Sequence, residues 1–321
     1  SRLRSTERGV LTWTEEDLTL YFFNPPIEEP SSHPLPPDLQ EALEEISEGD
    51  FGSLEDMQAE MDRRVTELNA HPLEELGGIS PDQAQALIQA GFDEEGPMEL
   101  SDVLDSSELE GASFLVNART FLLALVETGG APATVAGNLK RNFVAEMLDR
   151  MRFEEGYLDD LFRMNKVVNE GDVGPLHILR VNLEVSGLVK LRKGRFVLTR
   201  KGKEMAKPGA EGRLFARLFR TYFGSFNIHY PGRGRGSPGL QLAVPIFLWQ
   251  LGVRAREWVS LRTLANQILP PRPVTASPEG EPGRWGEEMD LYFSVLRPLK
   301  DFGLLEQRDT GEPHPWRWRP E

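Results

Sequence analysis

The apolar positions of this chain fall at helical spacing in most of its length and alternate in only a few short runs. Asp38 can cap a helix over residues 39–48. Ser53, with Asp56 three residues on, starts another in which Leu54, Met57, Met61, Val65 and Leu68 share one face. Ser80, Pro81 and Gln83 supply a cap, a first-turn proline and a capping-box partner for a third helix, which Gly91 ends. Residues 114–126 are apolar almost all round, so this helix is expected to be buried at the centre of the second half. Leu139, Phe143, Val144, Met147, Leu148 and Met151 form the next stripe, and residues 154–174 read as a mixed connector. Strand signals are few: the opening segment 10–23, as strand or helix, and a strand-like SFNIHY at 225–230.

The clearest local pattern lies at 176–205. Leu176, Leu179 and Leu183 have helical spacing, and Gly187 stands where a helix C-terminus takes a left-handed residue. Val189 to Leu191 and Phe196 to Thr199 then alternate as two strands joined by Lys193 and Gly194. Helix, Gly-Leu-Val, hairpin, Leu-Thr and a glycine resembles the second half of a winged helix of the bacterial multiple-antibiotic-resistance-regulator or phenolic-acid-regulator type. The resemblance covers about 30 residues closely and residues 114–205 more loosely. It implies that the helix over 175–186 lies in a DNA major groove, with His177, Arg180 and Asn182 as its polar positions, and that the hairpin rests on phosphates. Glu184 on that helix repels the backbone, and such helices in multi-subunit assemblies also bind protein. The segment GNLKRNFV is in addition similar to uncharacterised bacterial proteins, which adds no function. A second copy of the order follows: a helix over 261–269, a stripe through Tyr292, Val295, Leu296, Leu299 and Phe302, Gly303-Leu304-Leu305, and a hairpin closing at WRWRP. A proline-rich stretch at 270–283 interrupts it.

Charge divides the chain in two. Residues 1–110 hold 28 acidic residues against 5 arginines and no lysine, a net of −23; the remainder holds 23 acidic and 31 basic residues, a net of +8, which together make the −15 of the whole. The plain explanation is an acidic solubilising region beside an ordinary domain. The positive part is concentrated, however: between Lys190 and Arg220 eleven basic residues face only Glu204 and Glu211. We take Lys190, Arg192, Lys193, Arg195, Arg200, Lys201, Lys203, Arg213, Arg217 and Arg220, extended by Arg233 and Arg235 in a glycine-rich loop, as candidate contacts to a nucleic-acid backbone. The alternative is that this surface docks onto the acidic half of the same chain. Phe215, Phe219, Tyr222, Phe223, Phe226 and Tyr230 could stack on bases, but beside leucines at helical spacing they read first as core.

Other chemistries are poorly represented. The chain has no cysteine, which removes thiol nucleophiles, zinc fingers, iron–sulfur clusters and disulfide scaffolds. Its five histidines are isolated, without metal-ligand spacing. Gly234, Gly236 and Gly239 match a dinucleotide fingerprint formally, but Pro238 stands where the helix should begin. Adjacent acids such as Glu154 and Glu155 point apart on a helix and make no acid–base pair. An enzyme would require the fold to gather His177 or His229 with carboxylates. The start lacks a signal-peptide core, and the apolar stretch 240–253 is too short to span a bilayer. The expectation is a mainly α protein with small β-hairpins (α+β). It has an acidic helical region at 1–110 with a proline-rich linker at 24–37, a winged-helix domain at 111–208, and a helical segment with a second such domain at 209–321. We expect a cytoplasmic, non-enzymatic, nucleic-acid-associated regulatory or accessory protein, with no cofactor, metal or membrane and with DNA or RNA as partner. In this reading the acidic region competes in cis for the basic surface. The alternative is an adaptor whose winged and acidic helices bind partner proteins.

Overall fold

Local capping chemistry sets the first helices of the computed structural model, which describes residues 51–92, Leu104, 109–230, 238–254, 258–268 and 285–307. Helix α1 runs Leu54–Ala70, with the Asp56 N–H donating to the Ser53 hydroxyl at 3.1 Å. Helix α2 runs Pro81–Ala90 behind a complete capping box: Gln83 N–H to Ser80 Oγ at 3.2 Å and Ser80 N–H to Gln83 Oε1 at 2.9 Å. The helix expected at 39–48 and the segment 10–23 lie outside the described residues.

Helix α3, Ser113–Thr128, buries Leu115, Ala118, Phe121, Leu122, Ala124 and Leu125, and it stops at Gly129 in the left-handed conformation. Two residues of strand follow, β1 at Ala131–Pro132, and then α4 at Arg141–Arg150. The expected connector is not all irregular: α5, Tyr157–Met164, forms within it, because Leu158 and Leu161 pair apolar contacts across one turn while Asp159, Asp160 and Arg163 take the other side. Helix α6, Gly174–Val185, leads through Gly187 at φ 70° into β2, Val189–Arg192, and β3, Arg195–Leu198. Lys193 and Gly194 both have positive φ, 51° and 70°, the backbone a two-residue hairpin turn needs. The sheet order is β1-β3-β2, antiparallel, with Ala131 opposite Phe196 and Arg192 opposite Arg195. The pleat sends Val189 and Phe196 inward and Lys190 and Arg192 outward.

Helices α7, Arg200–Met205, and α8, Glu211–Arg220, complete this part. Gly202 is required where it stands: a β-carbon there would meet the Leu188 carbonyl oxygen at 2.1 Å. After α8 the chain forms one π-helical turn, Thr221–Ser225, and then turns through 227–230; the strand expected at SFNIHY is absent. The apolar positions there, Phe226 and Ile228, enter the core from the bend and turn that follow the π-helical turn. The remaining helices are α9, Pro238–Leu242; α10, Val244–Arg254; α11, Leu261–Ile268; α12, Trp285–Leu291; and, after a π turn at Tyr292–Leu296, α13, Arg297–Asp301. The closing hairpin of the second copy lies outside the described residues, as do Arg233 and Arg235.

One continuous apolar core joins these elements. Phe302 sits at its middle, within 4.8–5.9 Å ring-centroid distance of Phe114, Phe215, Phe219, Tyr222 and Phe223. These rings are therefore core, and of the aromatic set only Tyr230 is substantially exposed. The described part of the acidic region docks on α10: Trp249 donates to the Gly77 carbonyl at 3.0 Å and Gln250 to that of Glu75 at 3.2 Å. No described helix is long and apolar enough to cross a membrane.

Candidate nucleic-acid interface

The β2–β3 hairpin and α7 are held as one unit. Thr199 accepts the Gly202 N–H at 3.0 Å to cap α7 and donates its hydroxyl to the Gly187 carbonyl at 2.7 Å, fastening α7 to the end of α6. On this unit Lys190, Arg192, Lys193, Arg200, Lys201 and Lys203 are all exposed, and none makes an ion pair with a described residue. Lys207 is neutralised by Glu204 at 2.6 Å. Glu211, the other acid of the segment, is held by Arg119 at 2.7 Å. Arg192 faces Arg195 directly across the hairpin, and like charges in that register destabilise a sheet unless an anion intervenes.

The other basic residues do different work. Arg195 donates to the Gly130 carbonyl and, at 3.4 Å, to that of Thr128, tying the hairpin to the end of α3. Arg213 is exposed on α8. Arg217 turns inward: its Nε donates to the Ser186 carbonyl at 2.8 Å, placing a cation at the C-terminus of α6. Arg220 Nε donates to the Phe92 carbonyl at 3.0 Å, joining α8 to the end of α2.

Beneath the hairpin, α6 spends its polar residues internally. Glu170, wholly buried in the 3-10 turn Glu170–Asp172, accepts the Leu139 N–H and the Arg180 Nε–H, the latter at 2.6 Å, and its Oε1 lies 2.8 Å from His177 Nδ1. His177 Nε2 is 2.7 Å from the Tyr230 hydroxyl, so both ring nitrogens are engaged within the protein. Arg180 also pairs with Glu184, and its guanidinium lies 5.0 Å from the centre of the Phe196 ring. Burial by itself would raise the Glu170 pKa, but the His177, Leu139 and Arg180 partners outweigh it and hold the carboxyl below its ordinary value. His177 thus does meet a carboxylate, in a closed network without a free ring nitrogen for a substrate. No group of three or more His, Asp or Glu side chains among the described residues could hold a metal ion.

Of the three polar positions on α6, Arg180 is 6% exposed and Asn182 is 0% exposed. Ile178 and Val181 of α6 are half-buried against the core, His177 and Glu184 are partly exposed, and Val185 is 48% exposed. Both amide atoms of Asn182 lack a hydrogen-bond partner among the described residues. Leucine has the same branching at Cγ and removes both unsatisfied groups, worth about 1–2 kcal/mol, but it is bulkier, so Asn182→Leu is expected to raise folding stability in a urea melt by no more than that. A loss of more than about 3 kcal/mol, beyond the cost of overpacking, would show that the amide has a partner in solution.

Sequence reasoning missed Glu170 and Tyr230. The only local sign of Glu170 is its turn, in which Asn169 and Asp172 form a capping box ahead of the α6 proline. Tyr230 was grouped with the aromatic cluster rather than with His177.

Comparison with known proteins adds similarity without activity. Residues 110–211, which span α3 through the first residue of α8, match a family described as the Y4jL N-terminal domain. The chain is 27% identical over 188 residues to an uncharacterised protein, y4jL, of Sinorhizobium fredii (strain NBRC 101917 / NGR234), covering 58% of this chain and 84% of that one. No solved structure matches.

Proposed function

We propose that residues 111–208 form a winged-helix domain and that the protein is a non-enzymatic, nucleic-acid-associated regulatory or accessory protein which grips the phosphate backbone. The order helix, short strand, helices, hairpin supports the first part, with β3 between β1 and β2. The observation that carries the second is the set of six exposed cations on the β2–β3 hairpin and α7, without an ion pair among the described residues. Because Arg180 and Asn182 are buried, contact is to phosphate rather than to base edges, and binding is indifferent to sequence. DNA and RNA duplexes are both suitable partners.

The test is a titration of the full chain against fluorescent duplex DNA and duplex RNA at several salt concentrations. Each neutralised phosphate contributes about −0.9 to the slope of log K against log salt, so six contacts give a slope of roughly −5. Absence of binding to either duplex at low salt overturns the proposal. One observation favours the adaptor reading for a different face: Val185, 48% exposed beside half-buried Val181, suits a protein partner better than a DNA groove.

A further inference from the structure

A cleft of about 800 Å3 opens between α3, α5, α6 and α13. Its walls are aromatic, with Phe114 from α3, Tyr157 from α5, Tyr222 from the first π turn, Trp258, and Phe293 from the second π turn at the rim. The rings are braced from behind. Phe114 meets Tyr222 edge-on at 5.7 Å between centroids, and Phe153 stacks flat on Tyr157 at 5.1 Å. Such bracing gives a preformed site of the size that small ligands occupy.

The cleft also holds a buried carboxyl group that takes a hydrogen bond from Ser113 and feels Arg297 and Lys300 at longer range, but makes no direct ion pair with a described residue. Asp301 ends α13, after Arg297 and Lys300, yet both of those cations turn to Glu154: Arg297 at 3.6 Å, and Lys300 through a direct hydrogen bond. Among the described residues no cation comes within ion-pair distance of Asp301. Burial pushes its carboxyl up to about 6, so it is mostly ionised at neutral pH and pays for that charge in desolvation. A ligand cation would relieve this cost, and aromatic faces attract the same kind of group, above all when its charge is spread over alkyl substituents.

We propose that this cleft binds a small organic cation, an alkylated ammonium with an apolar body, through Asp301 and the surrounding aromatic rings. The site is separate from the phosphate-binding surface and does not rest on it. Pro175, Ile178 and Leu179 of α6 form one wall, so an occupant would touch the helix that leads into the hairpin.

The probe is benzyltrimethylammonium chloride, titrated calorimetrically into the full chain, with benzyl alcohol and benzoate as neutral and anionic counterparts. Saturable 1:1 binding is expected for the cation, with both counterparts at least tenfold weaker. Asp301→Asn should weaken the cation at least tenfold. Phe293→Ala removes a ring that is 43% exposed and so spares the core; it should weaken the cation several-fold. Affinity should also fall as pH drops through about 6, where Asp301 takes up its proton. The other charged groups facing the cleft are Arg152, Glu154, Arg297, Lys300 and Glu306, and Glu154 is held below its ordinary pKa: burial opposes this, and Lys300 and Arg297 outweigh it. Absence of saturable binding overturns the proposal, as does benzoate binding as tightly as the cation. Unchanged affinity in a folded Asp301→Asn variant does the same. Should that variant not fold, unchanged affinity in Phe293→Ala together with a flat pH profile is decisive against it.

Discussion

Glu170→Ala is expected to lower folding stability by about 3–5 kcal/mol, the cost of breaking a buried ion pair from one side. The carboxylate is fully buried and serves three donors at once: the Leu139 N–H just ahead of α4, His177 at the start of α6, and Arg180 one turn further along. Its loss leaves the Arg180 guanidinium buried with Glu184 and the face of Phe196, and leaves the Leu139 amide without its acceptor. Glu170→Gln keeps an acceptor for Leu139 but removes the charge and turns the oxygen that faces His177 and Arg180 into an NH2 group, so its cost should be substantial yet below that of Glu170→Ala. Urea denaturation followed by circular dichroism reads both.

The pH dependence has a definite sign. Glu170 has a folded-state pKa below its ordinary 4.5, so its contribution is complete above that value and is lost as pH falls through the lower folded value. Wild type should therefore lose stability on acidification below about pH 4.5 more steeply than Glu170→Gln. Parallel acid limbs for the two proteins would mean that the carboxylate is not held by these partners in solution.

What could be read from the sequence was what local chemistry decides. The hairpin was legible because Lys193-Gly194 takes a two-residue turn between alternating residues, and α2 because Ser80, Pro81 and Gln83 act within four positions of one another. Strand β1 was not, since Ala131–Pro132 carries no periodicity and is a strand only because β3 lies beside it. The same limit applies to the arginines. Arg213, Arg217 and Arg220 read as one basic face, yet Arg217 and Arg220 bond carbonyls 31 and 128 residues away, distances at which spacing carries no information. The buried network is a stronger instance. His177 and Arg180 were legible as polar positions on α6, but which way they point depends on Glu170, one acid among many in the sequence, whose partners Leu139 and Arg180 lie 31 and 10 residues away.

Reversing the hairpin and α7 cations with Arg192→Glu, Arg200→Glu and Lys201→Glu, together with Lys193→Asn, is expected to abolish duplex binding by the full chain while leaving the fold intact. Asparagine at 193 respects the left-handed backbone there, which glutamate would strain. If all four side chains contact phosphate, any binding that remains at low salt has a slope of log K against log salt flatter by about 3.6, at 0.9 per contact. Stability should hold or rise slightly, because Arg192→Glu converts a like-charged cross-strand pair with Arg195 into an attractive one. That opposition of signs, binding lost while stability is kept, separates an interface from a structural role. The inward arginine provides the contrast: Arg217→Ala removes the donors at the C-terminus of α6 and should lower stability without reversing any exposed charge. Retained binding by the fourfold variant would move the interface away from the hairpin. A change in sequence preference on His177→Ala would instead restore α6 as a reader of bases.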